Sequence, residues 1–161
     1  YLAGELDLTM GGRPIETDDA ITSKRRSLYF SRHPEAGGVT PFLAQFDPPD
    51  PIDCYRRTES IVPQQALAMT NSDLFLAGSK VLTTKLSADG GDFVTAAYEH
   101  LLSRPPTEEE RTLCAEFLVQ QQQLYLESGT QEAATEAARL QRARASLIRV
   151  LLNHHDFVVI P

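Results

Sequence analysis

Apolar positions change their rhythm partway along the chain. Through residue 59 they are sparse, set among Gly, Pro and Asp, with almost no helical period. From Pro63 onward they recur at the three- and four-residue spacing of helices with one apolar face. Pro63 suits a first helical position, where its missing N–H leaves nothing unpaired, and Gln64 to Met69 follow it. Asn71-Ser72-Asp73 offers capping oxygens to a helix running to about Leu86, with Leu74, Val81 and Leu82 expected on its inner stripe. Asp89-Gly90-Gly91-Asp92 ends that helix and caps the next, where Phe93, Ala97 and Leu101 repeat at spacing four. After the break at Ser103 to Thr107, Thr107 and Glu110 make a capping box for a helix to about Glu127. Leu113, Phe117, Leu118, Leu124 and Tyr125 are its expected inward residues. A last helix is expected from about Gln131 to Asn153, Ala-rich at first, then apolar at Leu147-Ile148 and Val150-Leu151-Leu152, so that its final turns belong in the core.

The first part of the chain offers less. Ser27-Leu28-Tyr29-Phe30-Ser31 has strand composition, and Phe42 to Phe46 suits a turn or two of helix after Pro41. The tail Phe157-Val158-Val159-Ile160 reads as extended and could pair with Leu28 to Phe30. The expected fold class is mainly α. An irregular Pro/Gly/Asp-rich N-terminal third precedes an orthogonal or bundle-like set of four to five helices, with at most one small two-stranded pairing. Residues 1–161 are expected to form a single domain, loop-rich over 1–59 and a helical core over 60–161. Tyr1-Leu2-Ala3-Gly4 has neither the look of a signal peptide nor that of a natural start, so the chain reads as a C-terminal fragment of something longer.

Charge narrows the partners. A net charge of −7 argues against nucleic acid, whose phosphates need a basic face. No apolar run approaches the roughly 20 residues of a membrane span. Arginines do cluster, at Arg25-Arg26, Arg56-Arg57 and Arg139/Arg142/Arg144, with acidic residues interspersed along the chain. Cys54 and Cys114 lack CxxC spacing and cannot make a metal site alone, and both are expected to be unbonded.

Candidate chemistry concentrates in the loop from Asp47 to Arg57. Asp47, Asp50 and Asp53, stiffened by prolines, could converge on a calcium ion, although their spacing is not that of an EF-hand. Equally they would cap turns or pair with Arg56 and Arg57, and a pair of carboxylates can also hydrolyse a glycosidic bond. Arg56 and Arg57 could clamp a carboxylate or sulfate through their guanidinium forks, or satisfy loop carbonyls ahead of a buried helix. His33 and His100 belong to no motif, and His154-His155 are adjacent on a helix, so they point about 100° apart and make a poor chelating pair. Nucleophile elbow, P-loop, dinucleotide fingerprint and zinc-protease motifs are all absent. No catalytic residue, metal ligand or cofactor is assigned within this chain.

Several blocks resemble one family in the same order. They are Leu6-Asp7-Leu8-Thr9-Met10-Gly11-Gly12, Arg25-Arg26-Ser27-Leu28-Tyr29, and Phe46-Asp47-Pro48-Pro49-Asp50-Pro51. Cys54 with Arg56-Arg57 follows, then Val62 through Ser72, Tyr98 through Leu102, Arg104-Pro105-Pro106-Thr107, and Leu151-Leu152-Asn153 with Asp156-Phe157. Together they resemble the C-terminal domain of unknown function of large planctomycete-type secreted proteins, often with an N-terminal cytochrome c domain. Gln65 stands where the family pattern passes directly from Gln to Ala, and Tyr55 where proline is common. The resemblance implies a mainly helical module in an extracytoplasmic setting. It implies haem only on a separate upstream domain and no established catalytic residues.

The expected function is therefore a non-catalytic helical C-terminal module of an exported multidomain protein, docking on upstream domains or a partner. One alternative is a carbohydrate-binding or carbohydrate-processing domain that uses the Asp47/Asp50/Asp53 and Arg56/Arg57 loop on polysaccharide. Another is a docking partner of a cytochrome c domain, guided by the acidic surface.

Overall fold

A computed structural model describes residues 2–20, 22–31, 41–46, 63–129 and 135–158. The chain divides into two compact units, Ala3–Ala68 and Met69–Pro161, with Leu2 belonging to the second.

In the first unit the described elements are short: helix α1 (Thr17–Ala20), a 3-10 turn at Ser27–Tyr29, and α2 (Pro41–Ala44). The strand expected at Ser27 to Ser31 is instead this 3-10 turn, and among the described residues pairing is limited to isolated parallel bridges, Asp7 with Arg25 and Ile15 with Phe30. Ile15 N–H donates to Tyr29 O at 2.8 Å and Ser31 N–H to Ile15 O at 2.7 Å, too few rungs to build a ladder. Arg25 holds the segment together. Its Nη2 donates to Thr9 O at 2.6 Å and Gly11 O at 2.7 Å, while its guanidinium lies 3.9 Å from the Tyr29 ring centroid. Gly11 and Gly12 take φ of +76° and +95°, a left-handed path that carries the chain around the guanidinium and that side chains resist.

The second unit is built from longer helices. The chain enters it along α3 (Pro63–Asn71), and it continues through α4 (Asp73–Ala88), α5 (Phe93–Leu102), α6 (Glu108–Glu127), α7 (Glu136–Leu151) and the short α8 (His155–Val158). Each long start is capped by the residue type that can do so. Ser72 accepts from Phe75 N–H, Asp92 from Thr95 N–H and Thr135 from Ala138 N–H, and Thr107 with Glu110 completes the expected box. Gly129, at φ +60°, follows α6. Among the described residues no helix is long and apolar enough to cross a membrane.

α7 organises this unit by packing against both α4 and α6, with α5 touching α4, α6, α7 and α8. Ala143 and Ile148 are completely buried and Leu147 and Leu151 nearly so, at positions that recur along one α7 face. Ala143 and Ala97, with no side chain beyond Cβ and both at 0% exposure, mark close helix approaches. Each buried Leu or Ile side chain stabilises by about 1.5–3 kcal/mol.

Several inward assignments change. On α4 the buried face is Ser79, Leu82, Thr83 and Leu86, whereas Leu74 and Val81 are exposed. Ser79 donates its hydroxyl proton to Leu76 O and Thr83 to Ser79 O, so both hydroxyls enter the core already satisfied. On α6 only Cys114 is fully buried; Phe117, Leu118 and Tyr125 are half-buried, and Leu113 and Leu124 face solvent. The tail differs too: Phe157 and Val158 lie in α8 rather than in an extended strand, with Phe157 N–H and Val158 N–H both donating to His154 O. Val159 and Ile160 lie outside the described residues.

Candidate functional site

Asp47, Asp50, Asp53, Arg56 and Arg57 lie outside the described residues, as do Cys54 and His33. Two other arrangements carry the polar chemistry of the second unit.

The first centres on Arg104. Ser103 ends α5 in a left-handed conformation, φ 57°, unusual for a residue with a side chain, and turns the chain so that Arg104 starts a new direction. The guanidinium grips Glu110 with two bonds, Nη1 to Oε2 at 2.8 Å and Nη2 to Oε1 at 2.7 Å, and donates through Nε to Asp156 Oδ2 at 2.9 Å. It also lies 5.4 Å from the Tyr98 ring centroid. Glu110 Oε2 accepts Thr107 N–H at 2.8 Å as well, so one carboxylate serves the fork and the α6 cap together. The Arg104 bonds, then Thr107 N–H, hold the Glu110 carboxyl down at about 2. The two carboxylates in turn hold Arg104 firmly protonated. Asp156 N–H donates to His154 Nδ1 at 3.2 Å.

Beside this fork the Tyr98 hydroxyl sits 3.9 Å from the Cys114 sulfur. Burial, helped by the Cys114 contact, pushes Tyr98 up to about 12, and burial likewise pushes the Cys114 thiol up. Cys114 is a free, buried cysteine. Both groups are thus neutral near pH 7, and a protonated, enclosed thiol is a poor nucleophile. Among the described residues no cluster of His, Cys, Asp and Glu could hold a metal ion. The fork is a structural tie: it ends α5, starts α6 and secures α8.

The second arrangement is a pair of hollows over the outer face of α7. One, of about 730 Å³, lies between α4 and α7 and includes Lys80, Arg142 and Arg149. The other, of about 660 Å³, lies between α6 and the end of α7 and includes Phe117, Asn153, His154 and His155. Tyr125 and Arg149 line both. Tyr125 OH and Ser146 Oγ are 2.9 Å apart, and Arg149 Nη2 donates to the same oxygen at 2.8 Å. Arg142 lies 4.7 Å from the Tyr125 ring centroid. The sequence showed the Arg139/Arg142/Arg144 cluster but not its use: Arg142 stacks on Tyr125, whereas Arg144 lies over Phe93 and donates to Ser87 Oγ.

Local spacing does not pair Arg104 with Asp156, because 52 residues separate them. The only signal was that each stands in a block of the family pattern, Arg104-Pro105-Pro106-Thr107 and Asn153 with Asp156-Phe157. Arg25 does the same for the two N-terminal blocks.

The fold defines a mainly helical module whose perturbed side chains serve packing and capping. The chain belongs to the family described as PSD1: Protein of unknown function (DUF1553), whose model matches residues 1–118. The matched stretch takes in the first unit, α3 to α5 and the first half of α6, and leaves α7 and α8 outside. No curated protein and no solved structure matches the chain.

Proposed function

We propose that this chain is a non-catalytic helical module of an exported multidomain protein, and that it docks on a domain preceding it in the same polypeptide. The observation that supports docking is the outer surface of α6. Leu113, Val119, Leu124 and Leu126 are each more than half exposed on a helix whose inner side is occupied by α7. Leu113 and Leu124 fall on one edge of that surface, with half-buried Phe117 beside them, and Val119 and Leu126, seven residues apart, fall on the other. Aliphatic strips along a solvent-facing helix favour an interaction surface over a bare one. The preceding domain is the chosen occupant because the sequence blocks resemble C-terminal parts of large multidomain secreted proteins. The same resemblance supports an extracytoplasmic location. The neutral Tyr98 and Cys114 pair and the fully engaged Arg104 fork favour a structural role over catalysis.

The test adds the preceding polypeptide in trans to the 161-residue chain and follows the chain's thermal melt. A higher midpoint is expected, because a partner that binds only the folded form stabilises it. Leu113→Glu with Leu124→Glu should abolish that gain while changing the isolated chain's stability by no more than about 0.5 kcal/mol, as for ordinary surface substitutions. An unchanged midpoint and no association at tens of micromolar would sink the docking reading.

A further inference from the structure

We propose that the element docking on α6 is an amphipathic α-helix of the preceding domain. It lies along the edge marked by Leu113, Phe117, Gln120 and Leu124 and carries lysine or arginine on the flank that meets Glu109 and Glu116. This rests on the docking reading above and deepens it by naming the partner's form and charge.

The edge has the period of a helix seam. Leu113, Phe117, Gln120 and Leu124 alternate steps of four and three residues, the spacing at which one helix receives the side chains of another. They share one side of α6 over about 16 Å of its axis. Leu113 and Leu124 are 64% and 56% exposed and Phe117 is half-buried, so the strip is open to a partner along its length. A strand fits it less well. Side chains on one face of a strand recur at about 6.6 Å, whereas three- and four-residue helix steps rise by about 4.5 and 6 Å, so the match is lost within a few residues.

Charge selects the partner. Glu109 and Glu116, two turns apart, run beside this strip on the side away from buried Cys114. Both are exposed and, among the described residues, neither forms an ion pair, whereas Glu108 and Glu110 have Arg111 and Arg104. Glutamates beside a seam pair across to the neighbouring helix and so choose it. A second copy of this chain fits poorly, because a two-fold pairing of α6 with itself sets these glutamates against their own twins. Gln120 interrupts the apolar strip. Its neighbours Gln122 and Gln123 donate to Leu118 O and Glu127 Oε1, but among the described residues the Gln120 amide has no hydrogen-bond partner. A lone amide within a seam fixes register at some loss of affinity.

Calorimetric titration of the 161-residue chain with the preceding polypeptide in trans tests the assignment. Association of the unaltered chain should weaken as salt rises from about 0.05 to 0.5 M, since exposed charges are screened over that range. Glu116→Lys, at an exposed position, should weaken binding about fivefold at the lower salt, flatten the salt trend and leave the isolated chain's melt unchanged. Gln120→Leu should tighten binding severalfold by completing the apolar strip. Amide exchange of the preceding polypeptide should slow in one helical segment that contains Lys or Arg. Association that Leu113→Glu with Leu124→Glu abolishes, but that ignores salt and Glu116→Lys, overturns this proposal and leaves the docking reading standing. An affinity that Gln120→Leu leaves untouched does the same, as does protection confined to an extended segment. Failure of the unaltered chain to associate removes both.

Discussion

In Ala3–Ala68 the described chain is gathered around one guanidinium; in Met69–Pro161 it is gathered around one helix. Arg25 ties Thr9 and Gly11 carbonyls to the Tyr29 ring, and Ala20 is the only buried apolar side chain among that unit's described residues. Arg104 does comparable work between α5, α6 and α8, but it sits at the rim of a core containing Leu82, Phe93, Leu147, Ile148 and Leu151. Two arginine ties with similar geometry therefore have different consequences. Where apolar burial is scarce the tie is the local organiser; where it is plentiful the tie sets helix ends and register. Hydrophobic area carries most folding free energy, and a polar tie contributes direction.

The largest effect should come from the core side of this comparison. Ile148→Ala, at a fully buried position, is expected to cost about 2–5 kcal/mol in denaturant unfolding of the chain. A loss below 1 kcal/mol would mean that α7 is not the centre of its unit. Arg104→Ala should cost about 1–3 kcal/mol, since it leaves a half-buried carboxylate without its charged partner. Arg104→Lys should recover only part, because an ammonium cannot present two parallel bonds to Glu110 and a third to Asp156. Full recovery would reduce the fork to a simple charge.

Thr107→Ala follows at about 1 kcal/mol, the usual value of an N-cap. Amide exchange should show the loss concentrated in the first turn of α6. The Glu110 carboxyl titrates near 2 when folded and near 4.5 otherwise, so its contribution is fully present above pH 4.5. That contribution disappears as pH falls toward 2, and the low-pH slope of stability should flatten in Arg104→Ala. The smallest expected change tests the weaker side of the comparison. Arg25→Ala should speed amide exchange at Ile15 and Ser31 by severalfold, because among the described residues of that unit Ala20 is the only buried apolar side chain behind the bridges. Unchanged exchange would show that the Arg25 tie is ornamental.

Much of the second unit was readable in advance, for local reasons. Pro63, Ser72, Asp92 and Thr107 begin helices because capping chemistry acts within three residues. Phe93, Ala97 and Leu101, which repeat at spacing four, are buried, because their spacing and their chemistry agree. The reading went astray where they disagree. Leu113 and Leu124 are apolar but face solvent, and Ser79 and Thr83 are polar but buried. A side chain's hydropathy does not reveal whether a neighbouring helix covers it, or whether its own helix satisfies its hydroxyl. Ser27 to Ser31 has strand composition, but a strand needs a partner edge, and among the described residues only isolated bridges are present there. The aspartate and arginine loop stays an expectation, since Asp47 to Arg57 lies outside the described residues.

The sequence alone determined where α3 to α6 begin, the helical class and membership of a family recognisable over residues 1–118, because capping, turn chemistry and periodicity are encoded in near neighbours. Tertiary structure decided which face of each helix is inside. It also joined Arg104 to Asp156 across 52 residues and brought Lys80 into one groove with Arg142 and Arg149. Those pairings depend on how whole helices pack, and packing is a property of surfaces that meet only after the chain has folded back on itself.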